Sequence, residues 1–131
     1  MKRRLFSFPS VAIATALMWG AVSLAPAQAA GWVAALKNTP AESFDEEDLQ
    51  MFLTAAGKTL NAEGPPELVS WSNPATGAAG RFQELNRSQT ADGRACKRVR
   101  VWVSSKKRAE KSSVWMACKS AEGRWALTAA R

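Results

Sequence analysis

The sequence contains no histidine and no tyrosine among its 131 residues. Without histidine it cannot build a Ser–His–Asp triad, a histidine metal site or an imidazole general base that works at neutral pH. Its two cysteines are not spaced as Cys-x-x-Cys, which disfavours a redox-active pair. The carboxylates of Glu84, Asp92, Glu110 and Glu122 lack the spacing of a motif. The sequence therefore predicts no enzyme, no metal site and no cofactor.

A long membrane-spanning run is also missing. The apolar run at residues 11–24 is short for a bilayer, follows the basic residues 2–4 and precedes Ala27-Gln28-Ala29. This order is typical of a signal peptide that is cleaved after Ala29. The alternative is a retained anchor, which the short run and the absence of a following basic cluster disfavour. We expect a soluble exported protein that comprises residues 30–131.

Positive and negative charges are divided unevenly along a chain of formal net charge +7. Residues 30–80 carry two basic and seven acidic side chains, whereas residues 81–131 carry thirteen basic and four acidic ones. The basic half favours an anionic neighbour such as lipopolysaccharide or phospholipid headgroups. The alternative is a solvated charged surface. Export makes nucleic acid an unexpected partner.

Periodicity predicts one helix and several strands. Ser43-Phe44-Asp45-Glu46 has the form of a capping box, and the apolar residues that follow recur at helical spacing, which predicts a helix over residues 44–61. Its acidic first turn complements the helix dipole and lacks the pattern of a calcium loop. Strands are predicted at residues 68–72, 80–88, 94–103, 114–119 and 124–128, with turns at 73–77, 91–93 and 121–123 and a polar, basic loop at 104–113.

These elements predict an α+β fold, with one N-terminal amphipathic helix packed on a four- to five-stranded antiparallel meander sheet. Residues 30–43 would form an entry segment and residues 44–131 the domain. An exported chain with two cysteines favours a disulfide between Cys96 and Cys118. Their pairing centres a hairpin on Lys107, within the predicted loop. The alternative is two buried free thiols.

The third strand has two different faces. Val99, Val101 and Val103 alternate with a basic and aromatic set. That set and the predicted loop supply the candidate anion-binding residues: Arg98, Arg100, Trp102, Lys106, Lys107 and Arg108. Cations interleaved with an aromatic ring can bind nucleic acid or an anionic glycan, and export makes the former unexpected. The alternative is that Trp102 packs against the helix and the cations are solvated around it.

A series of short motifs resembles a known family. The motifs are Trp71-Ser-Asn73-Pro-Ala-Thr76-Gly77-Ala-Ala-Gly80, Cys96-Lys97, Ala117-Cys118-Lys119 and Gly123-Arg-Trp125. They resemble, over about residues 49–128, the C-terminal domain of the rickettsial-type 17 kDa surface antigens. The resemblance implies a bacterial cell-envelope domain of helix-plus-meander type without known catalytic residues. Members often carry a lipidated cysteine after the signal peptide, and no cysteine stands there in this sequence.

Two hypotheses for function follow. The first is a noncatalytic exported envelope protein, in the periplasm or at the cell surface or outer membrane, that binds an anionic envelope lipid or glycan. The second is an exported partner-binding or inhibitor module that presents the basic hairpin loop to a protein. The sequence predicts no oligomeric state.

Overall fold

The computed structural model describes Trp32 and residues 34–129. The predicted signal peptide, residues 1–29, and Val33 lie outside these residues. Within them, a 3-10 helix and one longer α-helix precede five strands. The elements are the 3-10 helix Pro40–Ser43, α1 (Glu46–Asn61), β1 (Leu68–Asn73), β2 (Ala78–Gln89), β3 (Ala95–Ser105), β4 (Arg108–Lys119) and β5 (Trp125–Ala129).

The strands form one antiparallel sheet in the order β1-β2-β3-β4-β5, so each strand pairs with its neighbours in sequence. The sheet does not close into a barrel. The helix packs against β1 and β2, and the 3-10 helix lies against β3 and β4. This arrangement confirms the predicted α+β fold and fixes the number of strands at five.

The hydrophobic core lies between the helices and one face of the sheet. Phe52 of α1 and Phe82 of β2 are fully buried, with ring centroids 5.0 Å apart. Trp32 of the entry segment packs edge-on against Phe52 at 5.5 Å, so the segment before the helix belongs to the core. Val99 and Val101 of β3 are at most 2% exposed and face this core. The predicted valine face of β3 is therefore confirmed.

The start of α1 differs from the prediction. Asp45 caps the helix, because its side chain accepts from the Asp48 amide at 2.8 Å while the Asp48 side chain accepts from the Asp45 amide at 3.1 Å. The predicted cap, Ser43, instead ends the 3-10 helix and donates to the Pro40 carbonyl at 2.8 Å. Thr39 and Pro40 start that separate turn, which moves the beginning of α1 to Glu46.

The predicted loop at residues 104–113 is wrong. Strands β3 and β4 extend through almost all of it and leave a two-residue turn, Lys106–Lys107, between the paired Ser105 and Arg108. Polar residues in these strand ends resembled a loop because their side chains face solvent. Cys96 pairs with Cys118, their Cα atoms are 4.0 Å apart, and a disulfide joins them.

Candidate anion-binding face

The face of the sheet that points away from the helices is called the outer face below. It carries the residues that alternate with the core positions of β2, β3 and β4. These are Ala79, Arg81, Gln83, Asn86, Ser88, Cys96, Arg98, Arg100, Trp102, Ser104, Glu110, Ser112, Val114, Met116 and Cys118. Alternation along a strand places successive side chains on opposite faces, so the three central candidates of β3 lie side by side here.

Strand register arranges the outer face in rows. Trp102 is flanked by Arg81 on β2 and Ser112 on β4. In the next two rows Arg100 lies beside Val114, and Arg98 lies beside Met116. Each of these arginines is therefore the cross-strand neighbour of an apolar side chain. The resulting surface alternates positive charge with small apolar patches.

The outer-face arginines of β3 are exposed, and no ion pair involves Arg98 or Arg100 in the part of the chain that the structure describes. A carboxylate does reach this face from β4, but Glu110 accepts from Arg81 at 2.8 Å and is thereby neutralised. The two arginines consequently present their charge to solvent.

Trp102 lies on the outer face and is half-buried. The guanidinium carbon of Arg81 lies 4.6 Å from its ring centroid, which is a cation–π contact. The alternative that Trp102 packs against the helix is wrong, because β3 turns its valines toward the helix and Trp102 away from it. Arg81 was not among the predicted candidates. Its alternation with the buried Phe82 was the signal that could have found it.

The turn between β3 and β4 places two lysines at one end of the sheet. Lys106 and Lys107 are both exposed. Lys106 also packs over the neighbouring turn, since a Cβ added at Gly77 would lie 3.2 Å from the Lys106 Cβ. Gly77 adopts a φ of 75°, which a glycine tolerates without strain. The lysines therefore extend from a short turn of fixed geometry.

Arg108 is separated from the other candidates. Its guanidinium donates to the Thr39 carbonyl at 2.8 Å and pairs with Glu42 at 3.2 Å. A hydrogen bond from the Asn38 backbone and then Arg108 lower the pKa of Glu42. Lys111 adds a hydrogen bond to the Asn38 carbonyl at 3.3 Å. Arg108 thus fastens the 3-10 helix to β4, and we do not include it in the anion-binding face.

Two further cations, Lys97 and Arg87, bind groups of the protein near the end of α1. Lys97 is 6% exposed, and its ammonium donates to the Thr59 carbonyl at 3.2 Å and to the Ala62 carbonyl. It also lies 3.4 Å from the buried Glu84 carboxylate, which Arg87 contacts as well. The hydrogen bond from Arg87 and the charge of Lys97 lower the pKa of Glu84 against the opposing effect of burial. Lys97 thereby satisfies carbonyls at the end of α1 that lack partners within the helix, and Arg87 donates to the carbonyls of residues 62–64 just beyond it.

The start of α1 is tied to the β1–β2 turn by a buried carboxylate. One oxygen of Asp48 accepts from Asn73 Nδ2 at 2.8 Å and from Thr76 Oγ1 at 2.6 Å. Burial alone would raise the pKa of Asp48, but hydrogen bonds from Thr76, the Asp45 amide and Asn73 lower it overall. The sequence predicted Asp48 only as one of the first-turn acids that complement the helix dipole, and it did not predict the contact with the turn.

Gly80 provides space for an indole ring. It pairs with Trp71 across β1 and β2, and a Cβ added there would lie 2.5 Å from Trp71 Nε1 and 2.9 Å from the Trp102 carbonyl oxygen. The ring also packs edge-on against Phe44 at 5.2 Å. A glycine is therefore required for the close approach of Trp71 to the sheet.

Comparison with family models gives a match to the 17 kDa outer membrane surface antigen over residues 58–126. The chain belongs to this family. The matched region contains β1 to β4, the disulfide and the whole outer face. No curated protein and no solved structure matched the chain.

Membership in this family indicates an exported protein of the cell envelope or surface. Among the residues that the structure describes, no helix combines the length and the hydrophobicity that crossing a membrane requires. The motifs that carried the resemblance have structural roles: Asn73 and Thr76 bind Asp48, Gly80 receives Trp71, and Lys97 caps α1. The candidates Arg98, Arg100 and Trp102 lie between those motifs.

Proposed function

We propose that this surface antigen family member is a noncatalytic envelope protein that binds an anionic envelope component through its outer face and the adjoining turn. The observation that carries the proposal is the exposed pair Arg98 and Arg100 beside Trp102. Lys106 and Lys107 are exposed in the turn that follows β3, where they also line a cavity with Asp48 and Thr76 near the start of α1. Arginines that are not neutralised locally attract phosphate or carboxylate groups, and a neighbouring indole adds a stacking surface.

Several other cations of the sheet are already bound by groups within the protein, which supports this choice of residues. Arg87, Lys97 and Arg108 are held by backbone carbonyls and carboxylates within the fold. Arg81 is held by Glu110 and the Trp102 ring. On β2, β3 and the turn after β3, the cations left for a ligand are therefore Arg98, Arg100, Lys106 and Lys107.

The second hypothesis was a module that presents a long basic loop to a protein, and the structure has no such loop between β3 and β4. The residues between β3 and β4 form a two-residue turn that does not extend from the sheet as a long loop. We therefore propose a surface that binds charge on the sheet itself.

The test is co-sedimentation of the exported protein with phosphatidylglycerol-containing vesicles and, separately, with lipopolysaccharide. We expect binding at low salt that weakens as salt rises, because exposed charges are screened beyond about 8 Å at physiological ionic strength. R98Q/R100Q and K106S/K107S should each weaken vesicle binding by roughly 30-fold, on the basis of about 1 kcal/mol per basic residue.

The matched control is K37Q/K58Q, which removes the same amount of charge from exposed positions in the helical layer. It should retain most of the binding, and all three variants should melt close to the wild type. Equal losses in all three variants would show that net charge alone is responsible and would contradict the assignment of the face. Absence of binding to both probes at low salt would contradict the function.

A further inference from the structure

The outer face carries apolar side chains as well as cations. Binding of an anion by charge alone does not explain these apolar side chains. Val114 and Met116 are half-buried on the side of the sheet that the helices do not cover. They lie directly beside Arg100 and Arg98, and Trp102 continues the row toward the turn. Cations and apolar groups are thus interleaved at the spacing of neighbouring strands, about 5 Å.

A bilayer interface offers both kinds of group to such a surface. Lipid phosphates lie next to the first methylene groups of the acyl chains, and arginine can reach a phosphate while its own methylene stem stays on apolar surface. Indole rings favour the same depth, because one edge is polar and the ring is apolar. A soluble polyanion would bind the arginines alone and would leave Val114 and Met116 in water.

The positive charge of the outer face favours a bilayer that contains anionic lipids. Among the described residues of the outer face, Glu110 is the carboxylate, and Arg81 already binds it. The acidic side chains Glu46 and Glu47 lie on α1, in the opposite layer of the molecule. An anionic surface would therefore be attracted to the sheet side and repelled from the helix side.

We infer that the outer face docks on an anionic phospholipid bilayer, with Arg98 and Arg100 at the phosphates and with Trp102, Val114 and Met116 in contact with the upper acyl chains. This inference rests on the proposed function and adds to it the occupant and the orientation. It predicts a contribution to binding that salt does not screen, since apolar contact is not electrostatic.

The experiment measures tryptophan fluorescence of the exported protein bound to phosphatidylglycerol vesicles whose other lipid is phosphatidylcholine brominated on its acyl chains. Bromine quenches a tryptophan that reaches the chains. We expect quenching in the wild type and its loss in W102F, because Trp32 is buried in the core and Trp71, Trp115 and Trp125 pack against it.

The apolar contribution is tested with V114T/M116Q, which should weaken binding at high salt by roughly five- to tenfold. Its control is M51Q, a half-buried methionine of α1 in the opposite layer, which should bind like the wild type. Circular dichroism before binding verifies that each variant is folded.

The outcomes separate this inference from the proposed function. Binding to vesicles with equal quenching in wild type and W102F, or with no effect of V114T/M116Q, would overturn the docking orientation and leave charge binding in place. Binding to lipopolysaccharide without binding to vesicles would overturn the bilayer as occupant. Absence of binding to either probe would remove the proposed function itself.

Discussion

Asp48 connects two parts of the chain that are far apart in sequence. Its carboxylate binds the helix cap and the side chains of Asn73 and Thr76 in the β1–β2 turn. A charged acceptor with several donors is worth more than a neutral one, so this residue holds the helix on the edge of the sheet. Its position could be predicted from the sequence, because it precedes Phe52 by one helical turn on the buried face of α1.

The free energy of unfolding should depend on pH through the ionisation of the Asp48 carboxylate. The folded state lowers the pKa of Asp48 below its ordinary value of 3.8, so its contribution is complete above that value and is lost as pH falls through the lower folded pKa. Asp48→Asn should cost about 1.5–3 kcal/mol at neutral pH. Urea unfolding at pH 7 and at about pH 3 should show the gap between wild type and variant narrowing on acidification. A gap that does not change with pH would contradict this role.

Gly80 allows a second test on one residue. Gly80→Ala would push a methyl group into Trp71 and the Trp102 carbonyl, and we expect a loss of about 1–3 kcal/mol in the free energy of unfolding. Gly57→Ala is the matched control, since nothing lies within 4 Å of the added methyl group in α1. That change should stabilise by about 0.5–1 kcal/mol. Chemical denaturation measures both, and equal stability of G80A and wild type would be inconsistent with the close approach.

At the scale of elements, α1 is closed at both ends by charges of the expected sign. Asp45 and Asp48 lie at its beginning. At its end, Lys97 of β3 donates to the Thr59 and Ala62 carbonyls, and Arg87 of β2 donates to the carbonyls of the residues that follow the helix. This explains part of the charge division along the chain, because the basic half supplies cations to the end of a helix in the acidic half. Those cations support the fold and are not available to a ligand.

A double-mutant cycle tests the C-terminal closure of α1. Lys97→Met leaves the buried Glu84 with one cationic partner fewer, and we expect a loss of about 3–5 kcal/mol. The double variant K97M/E84Q should lose less than the sum of K97M and E84Q, because the second change removes the uncompensated charge. Equilibrium urea unfolding supplies the four free energies. Strict additivity would show that Lys97 and Glu84 do not act as a pair.

Periodicity was enough to predict the helix, the meander order and the valine face of β3. The ends of β3 and β4 were missed because their polar residues resemble a loop. What makes them strands is the pairing of β3 with β4, and Arg108 also contacts Thr39, 69 positions away in the chain. A contact between residues so far apart in the chain cannot be recognised from the pattern of neighbouring residues. Lys97, by contrast, lies two residues before Val99 on the same strand, so alternation places it on the buried face. Its burial could therefore have been predicted from the sequence.

At the scale of the whole molecule, the fold separates charge into two layers. Acidic residues of α1 lie on one side, and the exposed Arg98 and Arg100 lie on the other. The alternating register of β3 produces this separation, since each valine directed to the core is matched by an outward cation or by Trp102. The same alternation therefore builds the core and the candidate binding surface.

The disulfide lies at one end of this surface, in the row after Arg98 and Met116, and it stabilises the entire domain. Cys96 and Cys118 are 22 positions apart, and a cross-link of that span constrains the unfolded chain by roughly 3 kcal/mol. C96S/C118S should therefore lose about 2–5 kcal/mol, whereas its folded form should keep the β3–β4 register and bind vesicles like the wild type. Urea unfolding with and without dithiothreitol measures the first effect. The reductant should destabilise the wild type and leave the double variant unchanged, and a wild type that is insensitive to it, with two free thiols after denaturation, would contradict the cross-link.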